Sequence, residues 1–232
     1  MQKILMENYI GSLTIDFPLS AEISKMARNF VSMTDPNPSA YYSDPDGLLL
    51  RWTDMEYKLF RELEMNKYSD VLNKGFSDIE SFIKISLEII NRRKSRAGKS
   101  LEHHLSALFS GNLLRYEEQA ITEGNKKPDF LFPDGKSYHD IGFPAEKLIF
   151  LGAKTTCKDR WRQILNEADR IPVKHLCTLQ QGISAPQLLE MKEAGVKLVV
   201  PKPYIKDYPK EFRDEIWTLS EFIGYVQEKQ EA

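Results

Sequence analysis

One stretch near the middle of the chain constrains the fold more than any other part of the sequence. The apolar run at residues 148–153 ends in Lys154, a composition typical of a buried β-strand. Apolar side chains then recur every three to four positions over residues 157–170, which predicts an amphipathic α-helix. At about 100° per residue, a second face of this helix is polar. That face carries Asp159, Arg160, Gln163, Glu167 and Arg170.

A further acid lies upstream of this strand. Residues 125–133 place Asp129 directly after a proline, at the head of a short apolar run. Asp129, Lys154 and Glu167 suit phosphodiester hydrolysis, because carboxylates bind Mg²⁺ and a lysine can orient water or hold a phosphate. The alternative is a turn acid, a strand-end lysine and a solvated helix face, since acids and lysines are common. Spacing alone leaves both interpretations open.

The sequence around these residues resembles the PD-(D/E)xK nucleases and, more closely, the EcoRII-like restriction endonucleases. The resemblance rests on Asn-Lys-Lys-Pro-Asp-Phe-Leu-Phe-Pro at 125–133 and Lys-Thr-Thr-Cys-Lys-Asp-Arg-Trp-Arg-Gln-Ile-Leu-Asn-Glu-Ala-Asp at 154–169. It extends from about residue 92 nearly to the C-terminus. In the general pattern an acid stands two residues before the lysine, where this chain has Gly152. The EcoRII-like subgroup takes that acid from the helix, which implies Glu167.

The resemblance implies a type II restriction endonuclease that cuts double-stranded DNA with Mg²⁺ at a short CC/GG-containing site such as CCWGG. It implies that Asp129 and Glu167 hold the metal, that Lys154 contacts phosphate or water, and that Glu102 is a third carboxylate. It further implies flipping of the central base pair, a homodimer, and a cognate DNA methyltransferase acting on the same site. Two alternatives stay open, namely a DNA-binding protein that has lost cleavage and a repair or resolvase nuclease of the same fold.

DNA contacts are predicted in two parts of the nuclease-like region. The resemblance assigns Lys158, Asp159 and Arg160 to reading C:G pairs, which suits the donors and acceptors of guanine and cytosine. A cation-rich run at residues 92–99 is interpreted as a phosphate clamp or as a solvated helix end. The predicted contacts to the DNA backbone are Arg92, Arg93, Lys94, Arg96, Lys99 and Arg162.

A flipped base needs a flat side chain on which to stack. The candidates for this pocket are Arg51, Trp52 and Tyr57, which follow a proline-rich loop at residues 35–47. The alternative for Trp52 is a place in the hydrophobic core.

The predicted elements favour one compact α/β domain with a helical N-terminal portion. Residues 1–91 are expected to pack on the core, with a short strand at 10–17 and helices at 21–31, 53–65 and 78–91. Residues 92–232 are expected to form the nuclease core, beginning with a helix from Ser100 and a strand at 115–122. The order β-β-β-α-β-α-β-α predicts a mixed sheet with helices on both faces, as in restriction endonucleases.

The composition of the chain argues against several other classes of protein. The formal net charge of −2 gives no global basic field, so local patches must provide any contacts to phosphate. The two cysteines lack the spacing of a metal site, and adjacent His103 and His104 face different ways on a helix. No run of about 18 apolar residues and no leader-like start is present. The sequence therefore predicts a soluble cytoplasmic protein that does not contact a membrane.

Overall fold

The computed structural model describes residues 1–231, apart from the side chains of residues 158 and 159. The chain forms two compact units. The first contains Met1–Pro38 and Leu50–His104, and the second contains Ser39–Leu49 and the chain from Leu105 onwards. The predicted division at residues 91 and 92 does not coincide with this boundary.

Five helices fill the chain up to residue 111. They are α1 (Gln2–Gly11), α2 (Ser20–Thr34), α3 (Ala40–Ser43), α4 (Pro45–Lys74) and α5 (Ile79–Gly111). The helix predicted at 21–31 is confirmed as α2, and those at 53–65 and 78–91 lie within α4 and α5. The strand predicted at 10–17 is wrong, because its first residues end α1. Helical spacing there buries Met6 and brings the ring of Tyr9 within 6.1 Å of Phe30.

Helix α5 runs unbroken for 33 residues. It joins the helix predicted at 78–91 to the helix predicted from Ser100, and the cation-rich run lies in its middle. The interpretation of this run as a helix end is therefore wrong. The run contains no proline and no residue with a left-handed backbone, so nothing in it breaks the helix. Gly98 lies at an open surface, with no atom within 4 Å of the position that a Cβ would take.

The second unit is built on a five-stranded sheet. Its strands, in spatial order, are β1 (Glu117–Glu118), β2 (Phe130–Phe132), β3 (Ile149–Lys154), β4 (Lys174–Thr178) and β5 (Val196–Val199). The first three strands pair antiparallel, and β3, β4 and β5 pair parallel. The predicted mixed sheet is thus confirmed. The strand predicted at 115–122 is much shorter, because Gln119 adopts a left-handed φ of 53° that ends the extended backbone.

Helices cover both faces of this sheet, as predicted. On one face Phe109 of α5 lies 5.1 Å from Phe130, and Phe222 of α8 (Leu219–Glu231) lies 5.8 Å from Phe132. The other face buries a second apolar cluster. This cluster includes Leu131, Phe150, Ile164, Leu176 and, from α7 (Ala185–Glu193), Leu188 and Met191; the short helix α6 (Gly135–His139) adds Tyr138. Among the described helices none is long and apolar enough to cross a bilayer.

Candidate active site

Asp129 and Lys154 meet where β2 and β3 lie side by side. Asp129 precedes β2, one step beyond the pair formed by Phe130 and Leu151. Its Oδ2 accepts hydrogen bonds from Lys154 Nζ and from the Ala153 amide, each at 2.7 Å. Its other oxygen accepts from the Gln119 side chain at 3.2 Å. Asp129 is 9% exposed, so the sheet presents its carboxylate in a fixed orientation.

Gly152 explains why the site needs an acid from elsewhere. A Cβ at this position would lie 3.1 Å from Ile164 Cγ2 and 3.4 Å from Leu176 Cδ1. Both neighbours are buried in the apolar cluster. A carboxylate at residue 152 would thus be pressed against hydrocarbon, which disfavours a charged group.

Glu167 provides the second acid at this end of the sheet. Burial, and then the negative charge of Asp129, raise the pKa of Glu167 from its usual 4.5 to about 7. The positive charges of Lys154, Lys174 and Lys126 act in the opposite direction. Asp129 and Glu167 are therefore close enough for the charge of one carboxylate to affect the other. Cation binding by this pair stays a prediction.

The segment carrying Glu167 differs from the predicted α-helix. Residues Lys158–Asn166 form a 3₁₀-helix, and Glu167 follows it with extended backbone. At about three residues per turn, residues separated by three positions align. Trp161 and Ile164, both buried, therefore align with Glu167, and Arg160 does not. The predicted polar stripe from Asp159 to Arg170 is wrong for this reason.

Two arginines of the predicted helix contact protein groups. Arg170 donates to the main-chain oxygens of Asp140 and Phe143, each at 2.9 Å. Arg162 pairs with Glu190 at 2.5 Å and lies 4.6 Å from the centre of the Trp161 ring. Both arginines therefore help to hold this part of the second unit together.

Of the residues predicted to read bases, only Arg160 can be placed. Its side chain is exposed at the first turn of the 3₁₀-helix, and its amide donates to the Cys157 oxygen at 2.7 Å. The side chains of Lys158 and Asp159 lie outside the described residues. Base reading by all three residues stays a prediction.

The cation-rich run of α5 is largely paired with acids of the first unit. Arg93 binds both oxygens of Glu64, at 2.7 and 2.8 Å. Arg96 is mostly buried and lies 3.4 Å from Glu56. The remaining pairs are Arg92 with Glu88 at 3.1 Å and Lys99 with Glu102 at 2.7 Å, and Lys94 is exposed. The run therefore stabilises the unit, and its role toward DNA stays a prediction.

The predicted stacking residues have different surroundings on α4. Trp52 is 1% exposed and lies 5.7 Å from the ring of His104, so it is a core residue and not an open stacking surface. Arg51 lies 3.7 Å from Asp35. Tyr57 is 52% exposed. Arg51 and Tyr57 remain candidates for stacking on a flipped base, whereas Trp52 takes the place in the core that was its alternative.

The carbonyl groups on either side of Glu167 are contacted by lysines that the sequence did not single out. Lys126 Nζ donates to the Asn166 oxygen, and Lys174 Nζ donates to the Ala168 oxygen. The sequence gives little signal for Lys174, because its strand, Lys-His-Leu-Cys-Thr, also carries other polar residues; the structure shows that Lys174 is only 4% exposed. Burial lowers the pKa of Lys174 from 10.5 to about 8.

Comparison with known proteins gives a consistent result. The family described as EcoRII C terminal matches residues 60–223. The type II restriction enzyme EcoRII of Escherichia coli is 55% identical over 182 residues. That alignment covers 78% of this chain and 45% of the relative, so the chain spans less than half of the relative's length.

Two solved structures share the fold. Metal-depleted Ecl18kI in complex with uncleaved, modified DNA superposes with a TM-score of 0.77 and 17% identity, covering 98% of this chain and 84% of the other. A complex of the restriction endonuclease PspGI with substrate DNA superposes with a TM-score of 0.72 and 16% identity, covering 91% and 93%. At such low identity these matches establish the fold alone.

Proposed function

Because this chain belongs to the EcoRII C-terminal family, we propose that it is a type II restriction endonuclease acting on double-stranded DNA. The observation that carries the proposal is the convergence of Asp129, Lys154 and Glu167 at one end of the sheet. The site is a short CC/GG-containing sequence such as CCWGG. A cognate methyltransferase would protect that sequence in the host, and both enzymes would act in the cytoplasm, where the DNA is.

The donor set fits a hard divalent cation. Among the described side chains no cluster of three or more His, Cys, Asp or Glu forms a complete metal site. Mg²⁺ is commonly held by one or two carboxylates, with water and substrate phosphate completing its coordination. Asp129 and Glu167 would hold it, and Glu102 is proposed as a further carboxylate. When bound, the ion lowers the pKa of a water molecule and neutralises charge on phosphate.

The protein groups have separable roles in cleavage. Lys154, held by Asp129, would orient the attacking water or contact a non-bridging oxygen of the scissile phosphate. Glu167 must lose its proton before it can serve as a metal ligand. Arg160, which is exposed, would read a guanine, together with Lys158 and Asp159. These contacts to base edges would provide specificity, whereas the carboxylates would act on the phosphate.

The remaining DNA contacts are assigned by exposure. Lys94 is exposed and would contact phosphate directly. Lys99, Arg92, Arg93 and Arg162 would contact phosphate by leaving the acids with which they pair. Arg96 is the least accessible of the run. Arg51 and Tyr57 would face the flipped base.

A homodimer is supported by an apolar stripe on α5. Ile79, Ile83, Leu87 and Ile90 recur at helical spacing and are between 44% and 72% exposed. Apolar patches of this kind mark interaction surfaces, and a two-fold protein suits a near-palindromic site. Leu87→Lys should convert the dimer to a monomer in sedimentation, whereas Glu146→Lys, at an exposed residue outside α5, should not.

The function is tested by digesting a plasmid that contains CCWGG sites. We expect Mg²⁺-dependent cutting by the wild type, and none by Asp129→Ala, Lys154→Ala or Glu167→Ala, all of which should still bind the site. Glu146→Ala, on an exposed acid, is the control and should cut normally. Specific binding without cutting by the wild type would instead support the cleavage-inactive alternative. A preference for branched DNA would support the repair or resolvase nuclease.

A further inference from the structure

The backbone that presents Glu167 is unusual. Glu167 ends the 3₁₀-helix with φ −94° and ψ 140°, and Ala168 follows in the left-handed region at φ 53°. That region is unfavourable for a residue with a Cβ. Such conformations persist when the surrounding structure holds them, and they concentrate at functional sites.

Two lysines hold this backbone from separate parts of the second unit. Lys126 comes from the loop before β2, and its Nζ lies 2.5 Å from the Asn166 oxygen. Lys174 opens β4, and its Nζ lies 2.5 Å from the Ala168 oxygen. The main-chain oxygens of the residues before and after Glu167, Asn166 and Ala168, each accept a hydrogen bond from an ammonium group.

Satisfying main-chain groups does not explain the lysine at residue 174. The Ala168 oxygen already accepts a hydrogen bond from the Ile171 amide at 2.9 Å. A buried ammonium group is costly, and an apolar residue would fill the same space without that cost. A third contact acts on the same segment, since the Asp169 amide donates to Glu123 at 3.2 Å.

We propose that Lys126 and Lys174 are positioning residues that fix the Glu167 carboxylate beside Asp129 for metal binding. The inference rests on the proposed function, because it assigns to Glu167 the role of a metal ligand. Neither lysine touches DNA or the reacting atoms in this scheme. Lys126 acts through the peptide group that joins Asn166 to Glu167, and Lys174 acts through the carbonyl of the next residue, Ala168.

The test uses Lys174→Met and Lys126→Met, with Lys127→Met as the matched control. Lys127 is the exposed neighbour of Lys126. Methionine is unbranched and one heavy atom shorter than lysine, so it keeps most of the side chain and removes the ammonium group. Because the charge of Lys174 is already disfavoured by burial, its replacement should leave the protein folded. If Lys174→Met nevertheless fails to fold, Lys126→Met carries the test, since Lys126 is only partly buried.

The first measurement is amide hydrogen exchange in protein without metal or DNA. We expect exchange at residues 167–171 to quicken about tenfold in both variants, with the sheet unchanged, because local opening sets these rates. The second is cleavage at varied Mg²⁺. We expect kcat to fall about tenfold to a hundredfold, because a small displacement of a reacting group has an effect of this size. The Mg²⁺ concentration needed for cleavage should rise, and the KM for DNA should stay unchanged.

The possible results separate the inference from the proposed function. Unchanged exchange and an unchanged Mg²⁺ requirement in both variants, beside a wild type that cuts, would overturn the positioning role and leave the function intact. A higher KM for DNA as the only change would assign the lysines to DNA binding and would also overturn the positioning role. If the wild type does not cut, the proposed function fails, and the proposal that the lysines position Glu167 for metal binding fails with it.

Discussion

Lowering the pH from 8 to 6 should raise the Mg²⁺ concentration needed for half-maximal cleavage by about tenfold. The physical cause is the pKa of Glu167, which burial and the charge of Asp129 raise to about 7. A carboxylate with that pKa is about nine-tenths ionised at pH 8 and about one-tenth ionised at pH 6. Because only the ionised form binds a cation, protons and Mg²⁺ compete for the same group.

The assay is single-turnover cleavage of pre-bound DNA at several Mg²⁺ concentrations, performed at both pH values. The pKa itself is measured from the carboxyl carbon of Glu167 by NMR without metal. Asp129→Asn removes the neighbouring charge, so the pKa of Glu167 should fall toward 4.5 in that variant. Glu146→Gln, which replaces an exposed acid, should leave it unchanged.

The direction of the pKa shift of Glu167 also predicts how the stability of the protein depends on pH. A raised pKa means that the contribution of Glu167 to folding is complete below pH 4.5 and is lost as the pH rises through about 7. Glu167→Gln should therefore stabilise the metal-free protein at pH 8 more than at pH 5. The reasoning is refuted if the Mg²⁺ requirement is the same at pH 6 and 8, or if Glu167 titrates near 4.5.

Three further outcomes are expected. Arg160→Ala should lose discrimination at one C:G pair of the site by about 1–3 kcal/mol, measured by binding to single-pair variants of the sequence; equal loss on every sequence would contradict base reading. Burial lowers the pKa of His175 to about 4, so its contribution to stability is complete above pH 6.5 and lost as the pH falls. Between pH 7 and 5, the free energy of unfolding in urea should therefore fall by about 2 kcal/mol less for His175→Phe than for the wild type. The variant His139→Gln, at an exposed residue, should match the wild type. Removing the charges of Lys94 and Lys99 should weaken binding to all DNA alike and reduce its salt dependence; an unchanged slope would contradict phosphate contacts.

The strands of the sheet were predictable because their composition is strongly apolar and turn residues bound them. The sequence placed β3 to within about one residue, and it placed Asp129 and Lys154 at the ends of strands that pair. These successes rest on local patterns that the tertiary structure reinforces.

The errors arose where tertiary contacts decide between similar local structures. Apolar residues at spacings of three and four fit an α-helix or a 3₁₀-helix, and the row of Trp161 and Ile164 selects the latter here. The pairing of Arg93 with Glu64 spans 29 positions and could not be derived from the charge run alone. Trp52 follows a loop in sequence, yet α4 begins earlier than the proline pattern indicates and carries it into the core.

The close packing at Gly152 restricts how a site of this kind can change during evolution. A Cβ at residue 152 would lie 3.1 Å from Ile164 Cγ2, so an acid there requires the isoleucine to shift or to become smaller. Replacing Ile164 by alanine would cost about 2–5 kcal/mol, and it would disturb the residue whose oxygen accepts a hydrogen bond from the Glu167 amide. Moving the second acid to residue 152 therefore demands an adjustment at Ile164, on which the backbone before Glu167 also depends.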